Sequence, residues 1–151
     1  MSELSADQWL NVAAVSFCKV AATSLSMAGK VEARCPTGLQ GAFVPLVGTN
    51  DSVQIGVTAD RPTCVVLARR MLQMEDHEVP SDHEIRDALG EIANMVAGMS
   101  KASRPDKNRD LALGLPILFE GVVNTTDATS IQSIQVDLAG TPVAVTVIHS
   151  K

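Results

Sequence analysis

From Ser81 to Ser103 the chain reads SDHEIRDALGEIANMVAGMSKAS, and this stretch decides how the rest is understood. Ser81 with Glu84 three residues on is a capping box that opens a helix, and Pro105 stops it. Within the helix Ile85, Leu89, Ile92, Val96 and Met99 recur every three or four residues, so one face is apolar and must pack on a larger body. About a hundred degrees round the axis, Glu84, Asp87, Glu91, Asn94, Gly98 and Lys101 form a second stripe at the same spacing. A solvated helix face accounts for such a stripe on periodicity alone. Three details weigh against that reading. Asp87 and Glu91 are like charges one turn apart, which costs an isolated helix on the order of a few tenths of a kcal/mol. Gly98 sits mid-helix at a cost of about 1 kcal/mol relative to Ala. Asn94 is a poor helix former that packs nothing in return.

Working outward, Ser5 to Asp7 open another helical pattern that runs through Ser26, carried by Trp9, Leu10, Ala13, Val15, Phe17, Val20, Ala21 and Leu25 and ended by Gly29. Val31 to Arg34, Ala42 to Val47 and Ser52 to Thr58 are short apolar or alternating runs. They are separated by Pro36, Gly38, Gly41, Gly48, Asn50 and Asp51, which predicts three strands in an antiparallel meander. Asp60 as N-cap and Pro62 in the first turn predict a helix from about Thr63 to Met74, and Glu75 to Pro80 form a polar connection. After the central helix, strand texture returns at Leu115 to Phe119, Ile131 to Leu138 and Val143 to Ile148, with a turn at Ala139 to Pro142. No linker, repeat or low-complexity run divides the chain. The expected fold is α+β: a single domain over residues 1–151, with a mainly antiparallel sheet of about six strands and three helices packed on one face.

Composition narrows the function classes. The 151 residues are 46% hydrophobic and 19% charged, which suits one globular domain able to bury roughly two-thirds of its unfolded surface without a disulfide or metal staple. The net charge of -5 argues against nucleic acid and against an anionic membrane surface as partners. With aromatics at 3% and no Tyr, the core is built from aliphatic residues and stacking platforms are not expected. Cys18, Cys35 and Cys64 stand far apart with no CxxC, as expected of reduced thiols in a cytoplasmic protein. Met1 to Leu4 carry no basic and apolar leader, and the apolar runs Val12 to Val15 and Cys64 to Leu67 fall well short of the ~20 residues of a membrane span.

The second stripe of the central helix offers an acid, then a carboxamide one turn on, then a residue with no side chain. A carboxamide donates and accepts hydrogen bonds without titrating, so it can hold a water in line with an electrophile. A carboxylate three residues away can pair with a cation in a partner and fix register. Neither group is a nucleophile in need of a base. The pattern suits hydrolysis by positioning, with the electrophile and any metal supplied by another protein whose backbone approaches over Gly98.

The residues Asp87, Ala88, Leu89, Gly90, Glu91, Ile92, Ala93, Asn94, Met95, Val96, Ala97, Gly98 and Met99 resemble the active helix of the CheC/CheX/FliY chemotaxis phosphatases. That signature is Asp or Ser, three residues, Glu, two residues, Asn, and a Pro some twenty-two residues on; Asp87, Glu91 and Asn94 match its first three elements. Pro116 follows Asn94 after twenty-one residues, one short, a difference in loop length between Pro105 and Gly114. The motif occurs once rather than twice, which is similar to the CheX-like branch. The resemblance implies hydrolysis of the aspartyl phosphate on a CheY-like response-regulator receiver domain. Asn94 would orient the attacking water, Glu91 would pair with the regulator's Lys, and Asp87 would support helix geometry or docking, while the stripe itself adds Gly98 and Lys101 as residues expected to meet the partner. It implies no cofactor of the chain's own, Mg²⁺ residing in the partner, and a homodimer formed through the sheet, for which the last strand, Val143 to Ile148, is the candidate edge. The rival readings on the same fold are a non-catalytic adaptor that binds a receiver domain and a dimeric structural module.

Other candidates carry less. His77 and His83 lie among Glu75, Asp76, Glu78, Asp82 and Glu84, yet they straddle Pro80 without the spacing that puts two imidazoles on one helix face, so a solvated charged loop is expected and no metal. Gly38, Gly41 and Gly48 precede no Gly-Lys-Ser/Thr and read as turn glycines. No GxSxG is present. Cys64, early in its helix, is a reactive thiol or a buried structural one, and its neighbours Val65, Val66 and Leu67 favour the second. Met99 continues the apolar stripe and is assigned to the core, while Met95 is left between core and partner.

Overall fold

Helix α1 (Ala6–Val20) starts at Ser5, whose hydroxyl accepts from Gln8 N at 3.2 Å while Gln8 Oε1 accepts from Ser5 N at 2.8 Å. This reciprocal cap satisfies two of the donors that every helix start leaves open. Trp9, Leu10, Ala13, Phe17 and Val20 form its buried face. The helix widens into a π turn over Ala21–Leu25 and ends at Ser26 in the left-handed region (φ 54°) rather than at Gly29, which instead begins the first strand. The computed structural model describes residues 4–49, 52–105, 110–124, 126 and 128–150. Residues 1–3, on which the reading of the N-terminal segment falls, and Asn50 and Asp51 of an expected turn, lie outside them.

Among the described residues seven strands follow the order β1 (Gly29–Arg34), β6 (Thr129–Leu138), β7 (Thr141–Ser150), β3 (Ser52–Ala59), β2 (Gln40–Val47), and then β4 (Ala112–Leu113) and β5 (Ile117–Glu120) side by side on the far edge of β2. All paired neighbours are antiparallel. The sheet is open, and helices α2 (Arg61–Met71) and α3 (Asp82–Ser103) complete the three-helix layer with α1. Alternate residues of the strands, Val53, Ile55 and Val57, Ile134, Val136 and Leu138, and Val143, Val145 and Val147, enter one core with the helices. No helix among the described residues is long and apolar enough to cross a membrane.

Two expectations are corrected here. The first three strands do not form a meander, because β1 pairs with β6 at one edge while β2 lies beyond β3. The connecting segment crosses the face away from the helices. Cys35 N donates to Ser133 O at 3.2 Å, Thr37 and Ser133 hydroxyls meet at 2.9 Å, and Gly38 N donates to Thr58 Oγ1 at 2.7 Å. Gly38 passes so close that a side-chain carbon would stand 2.4 Å from Ala59 N, which only glycine permits. The second correction concerns Val143 to Ile148, which is no edge: β7 is paired along its length to β6 on one side and to β3 on the other. The tight turn at Ala139 and Gly140 folds β7 onto β6, and β3 then takes its free side. The exposed edges are β1 and the β4–β5 pair. The strand expected from Leu115 begins at Ile117, and β4 is an addition that the sequence did not signal.

Candidate functional site

Helix α3 begins as its capping box requires: Ser81 Oγ accepts from Glu84 N at 3.1 Å, and Glu84 Oε1 accepts from Ser81 N at 2.9 Å. Arg104, extended at ψ 149° before Pro105, ends it. Ile85, Leu89, Ile92 and Val96 are buried against the sheet, and Met95 and Met99 pack partly buried against the same core. Met95 is held by a contact from Ser24 Oγ to its sulfur at 3.7 Å. The second stripe stands outward as expected, with Asp87 and Glu91 exposed and Asn94, Gly98 and Lys101 half-buried. Glu84 leaves it, because its carboxylate is bent back onto the helix start, which holds its pKa below the ordinary Glu value.

Asp87, Gly90, Glu91 and Asn94 on the helix line one side of an open groove of about 500 Å³, Leu115, Pro116 and Leu118 line the other, and Arg86 also borders it. Where the chain enters β5 it crosses the helix at Gly90, and Pro116 and Leu118 pack over that residue. Leu115, 84% exposed, stands on the rim. Pro116 therefore reaches the motif residues despite the shorter spacing. Gly98 and Lys101 continue the helix face without lining the groove, and the space over Gly98 is open for 4 Å. His83 Nε2 lies 3.2 Å from Asp87 Oδ2, one turn before it on the same helix face.

Sequence reasoning missed Gly90, Arg86, Leu115 and Leu118. The signal for Gly90 was present, since a mid-helix glycine between Asp87 and Glu91 invites the argument made for Gly98. Elsewhere, Cys64 is fully buried and desolvation pushes its thiol up to about 11 despite its place near a helix start, so it is the structural thiol. Among the described residues no three His, Cys, Asp or Glu side chains gather so as to hold a metal ion. The groove thus offers a carboxylate and a carboxamide, side by side and open to solvent, facing an apolar wall. Such a surface can enter a partner's site and place a water there, while the partner supplies the electrophile.

Residues 40–139 match the family model described as chemotaxis phosphatase CheX, a span that takes in the groove and every strand but β1 and β7. Among solved structures, the chain is similar to the chemotaxis protein CheX from Vibrio vulnificus, at 19% identity over 98% of this chain and 100% of that one with a TM-score of 0.77. It is similar to a CheX from Desulfovibrio desulfuricans, at 17% identity over 95% and 99% with a TM-score of 0.77. It is also similar to the CheX–CheY–BeF3–Mg complex from Borrelia burgdorferi, at 16% identity over 96% and 97% with a TM-score of 0.68. At these identities the structures establish the fold. No curated protein matches the chain. The family model covers well over half of the sequence and includes Asp87, Glu91, Asn94 and Pro116, so the chain belongs to the CheX family of chemotaxis phosphatases.

Proposed function

We propose that this chain hydrolyses the aspartyl phosphate of a CheY-like receiver domain in the cytoplasm. The observation that carries the reading is that Glu91 and Asn94 both line one open groove, with Gly90 on the same side and Pro116 on the other. The Asn94 carboxamide enters the receiver's site and orients a water in line with the phosphoryl group; it needs no base, because positioning and charge stabilisation dominate phosphoryl transfer. The water oxygen bonds to phosphorus as the bond from phosphorus to the aspartyl oxygen breaks, which restores the aspartate and releases inorganic phosphate and a proton. Glu91 pairs with the receiver's Lys and fixes the register of Asn94. Asp87, steadied by His83, and Gly98 with Lys101 further along the helix extend the contact. The phosphoaspartate and its Mg²⁺ belong to the receiver, which a CheX relative's capture with CheY, BeF3 and Mg supports. A homodimer of this chain would pair through an exposed edge, β1 or β4–β5.

The test follows decay of a small-molecule-phosphorylated receiver with and without the protein, beside Asn94→Ala and Glu91→Ala. Faster decay with wild type and loss in both variants is expected. Binding without faster decay would make the chain an adaptor, and full activity of Asn94→Ala would remove the site assignment.

A further inference from the structure

A second hollow of about 270 Å³ lies beside the groove, lined by Gln40, Arg86, Leu89, Leu118 and Glu120 among others. Arg86 and Leu118 border both, so the two share a wall, and a protein seated over Asn94 covers them together. Gln40 and Glu120 stand opposite one another in the register of β2 and β5, and their side chains leave the same face of the sheet. Gln40 is the unexpected member. It is only 8% exposed, its main-chain oxygen faces the Cys64 sulfur at 4.0 Å, and its carboxamide has no hydrogen-bond partner among the described residues. The amide group itself is not sealed from solvent, so it opens to the hollow and is available to a partner that replaces water there. The mouth of the hollow carries Arg86 and Glu120, one charge of each sign; Arg61, ion-paired with Asp82, lies in the field of Glu120. Mixed charge disfavours a simple anion or cation. A planar carboxamide offers one donor edge and one acceptor, and its complement is a group with both side by side.

We propose that this hollow is a second recognition pocket of the docking surface, in which the Gln40 carboxamide binds a main-chain peptide group from an exposed loop of the receiver domain. The inference rests on the phosphatase reading above and adds a residue that strengthens and orients docking of the receiver. An amide in the wall of this hollow is then explained by the partner that it binds.

The experiment measures Michaelis kinetics of receiver dephosphorylation, and thermal unfolding, for wild type and Gln40→Leu. The expected result is a Tm close to wild type, a KM raised about tenfold and a kcat within about twofold. Arg86→Gln and Glu120→Gln, both at exposed positions, guard against a folding defect and should each raise KM about threefold. Wild-type turnover with KM unchanged in all three variants overturns the pocket and leaves the phosphatase reading standing. Failure of wild type to accelerate any receiver overturns both.

Discussion

Pro116 packs on Gly90: a side-chain carbon at residue 90 would stand 3.5 Å from Pro116 Cβ and 3.8 Å from Leu118 Cδ2. Those are ordinary van der Waals separations, so a methyl fits, while a branched side chain must either displace Pro116 or fill the groove. Gly90→Ala removes the cost of glycine inside a helix, about 1 kcal/mol, and should raise Tm with turnover within about threefold of wild type. Gly90→Leu should keep the helix yet lift Pro116 off it or fill the groove, spoiling the groove either way. Thermal unfolding and receiver decay measure both effects. A Leu variant as fast as wild type would show that the receiver does not sit in this groove.

Asn94 and Glu91 should separate into different kinetic roles. Loss of one positioned hydrogen-bonding group in an active site typically lowers kcat by about 10²-fold, so Asn94→Ala should do so with little change in affinity for a beryllofluoride-activated receiver. Asn94→Asp should be no better, since a carboxylate repels the phosphoryl group. Glu91→Gln keeps the shape and removes the charge, and its effect should fall mainly on KM. Because Glu91 is exposed and Asn94 half-buried on the helix surface, none of the three should move Tm by more than a degree or two.

The central helix was legible because its cues are local: the capping box and two stripes lie within one run of residues, and α3 spans Asp82–Ser103 as read. The sheet order was not, because it rests on contacts remote in sequence. Sequential strands usually pair, and β1 with β2 breaks that rule through a crossing whose hydrogen bonds go to Ser133 and Thr58. The last strand in sequence proved central in the sheet, because its partners β6 and β3 come from different parts of the chain. Within the site, Asp87, Glu91 and Asn94 were found by spacing, whereas the facing wall depended on where Leu115 to Leu118 return to the helix.

Acid should loosen the start of α3. Glu84 is held below its ordinary pKa first by its bond to the Ser81 backbone, and Asp82 is lowered by its hydrogen bond with Arg61. A carboxylate with a depressed folded pKa contributes stability that is present above the unfolded value, 4.5 for Glu84 and 3.8 for Asp82, and is lost as pH falls through the folded one. Tm should therefore hold from pH 8 to about pH 5.5 and fall below about pH 4.5. Gln at residue 84 keeps the reciprocal cap but cannot titrate, so Glu84→Gln should show a shallower acid slope. Ser81→Ala should cost about 1 kcal/mol at neutral pH. Equal acid slopes for wild type and Glu84→Gln would show that the capping carboxylate contributes nothing.

Cys64 should be silent toward thiol reagents until the protein unfolds. It lies near the start of α2, where a helix terminus and the neighbouring Arg61 favour the thiolate, but burial acts more strongly and, with Asp60, pushes its thiol up to about 11. Iodoacetamide at pH 8 attacks thiolate, so the folded chain should modify Cys64 far more slowly than the chain in guanidinium. Cys18 and Cys35, half-buried and raised by desolvation, should react at intermediate rates. The linkage runs opposite to that of the carboxylates. A thiol whose folded pKa is raised contributes stability that is full below its ordinary value of 9.0 and lost as pH rises through about 11, so wild type should lose Tm in that alkaline window and Cys64→Ala should lose less. Peptide mass analysis after timed alkylation reads the first result and thermal unfolding across pH 8 to about pH 11 reads the second. Rapid native labelling at Cys64 would contradict the buried position on which the contact with Gln40 O depends.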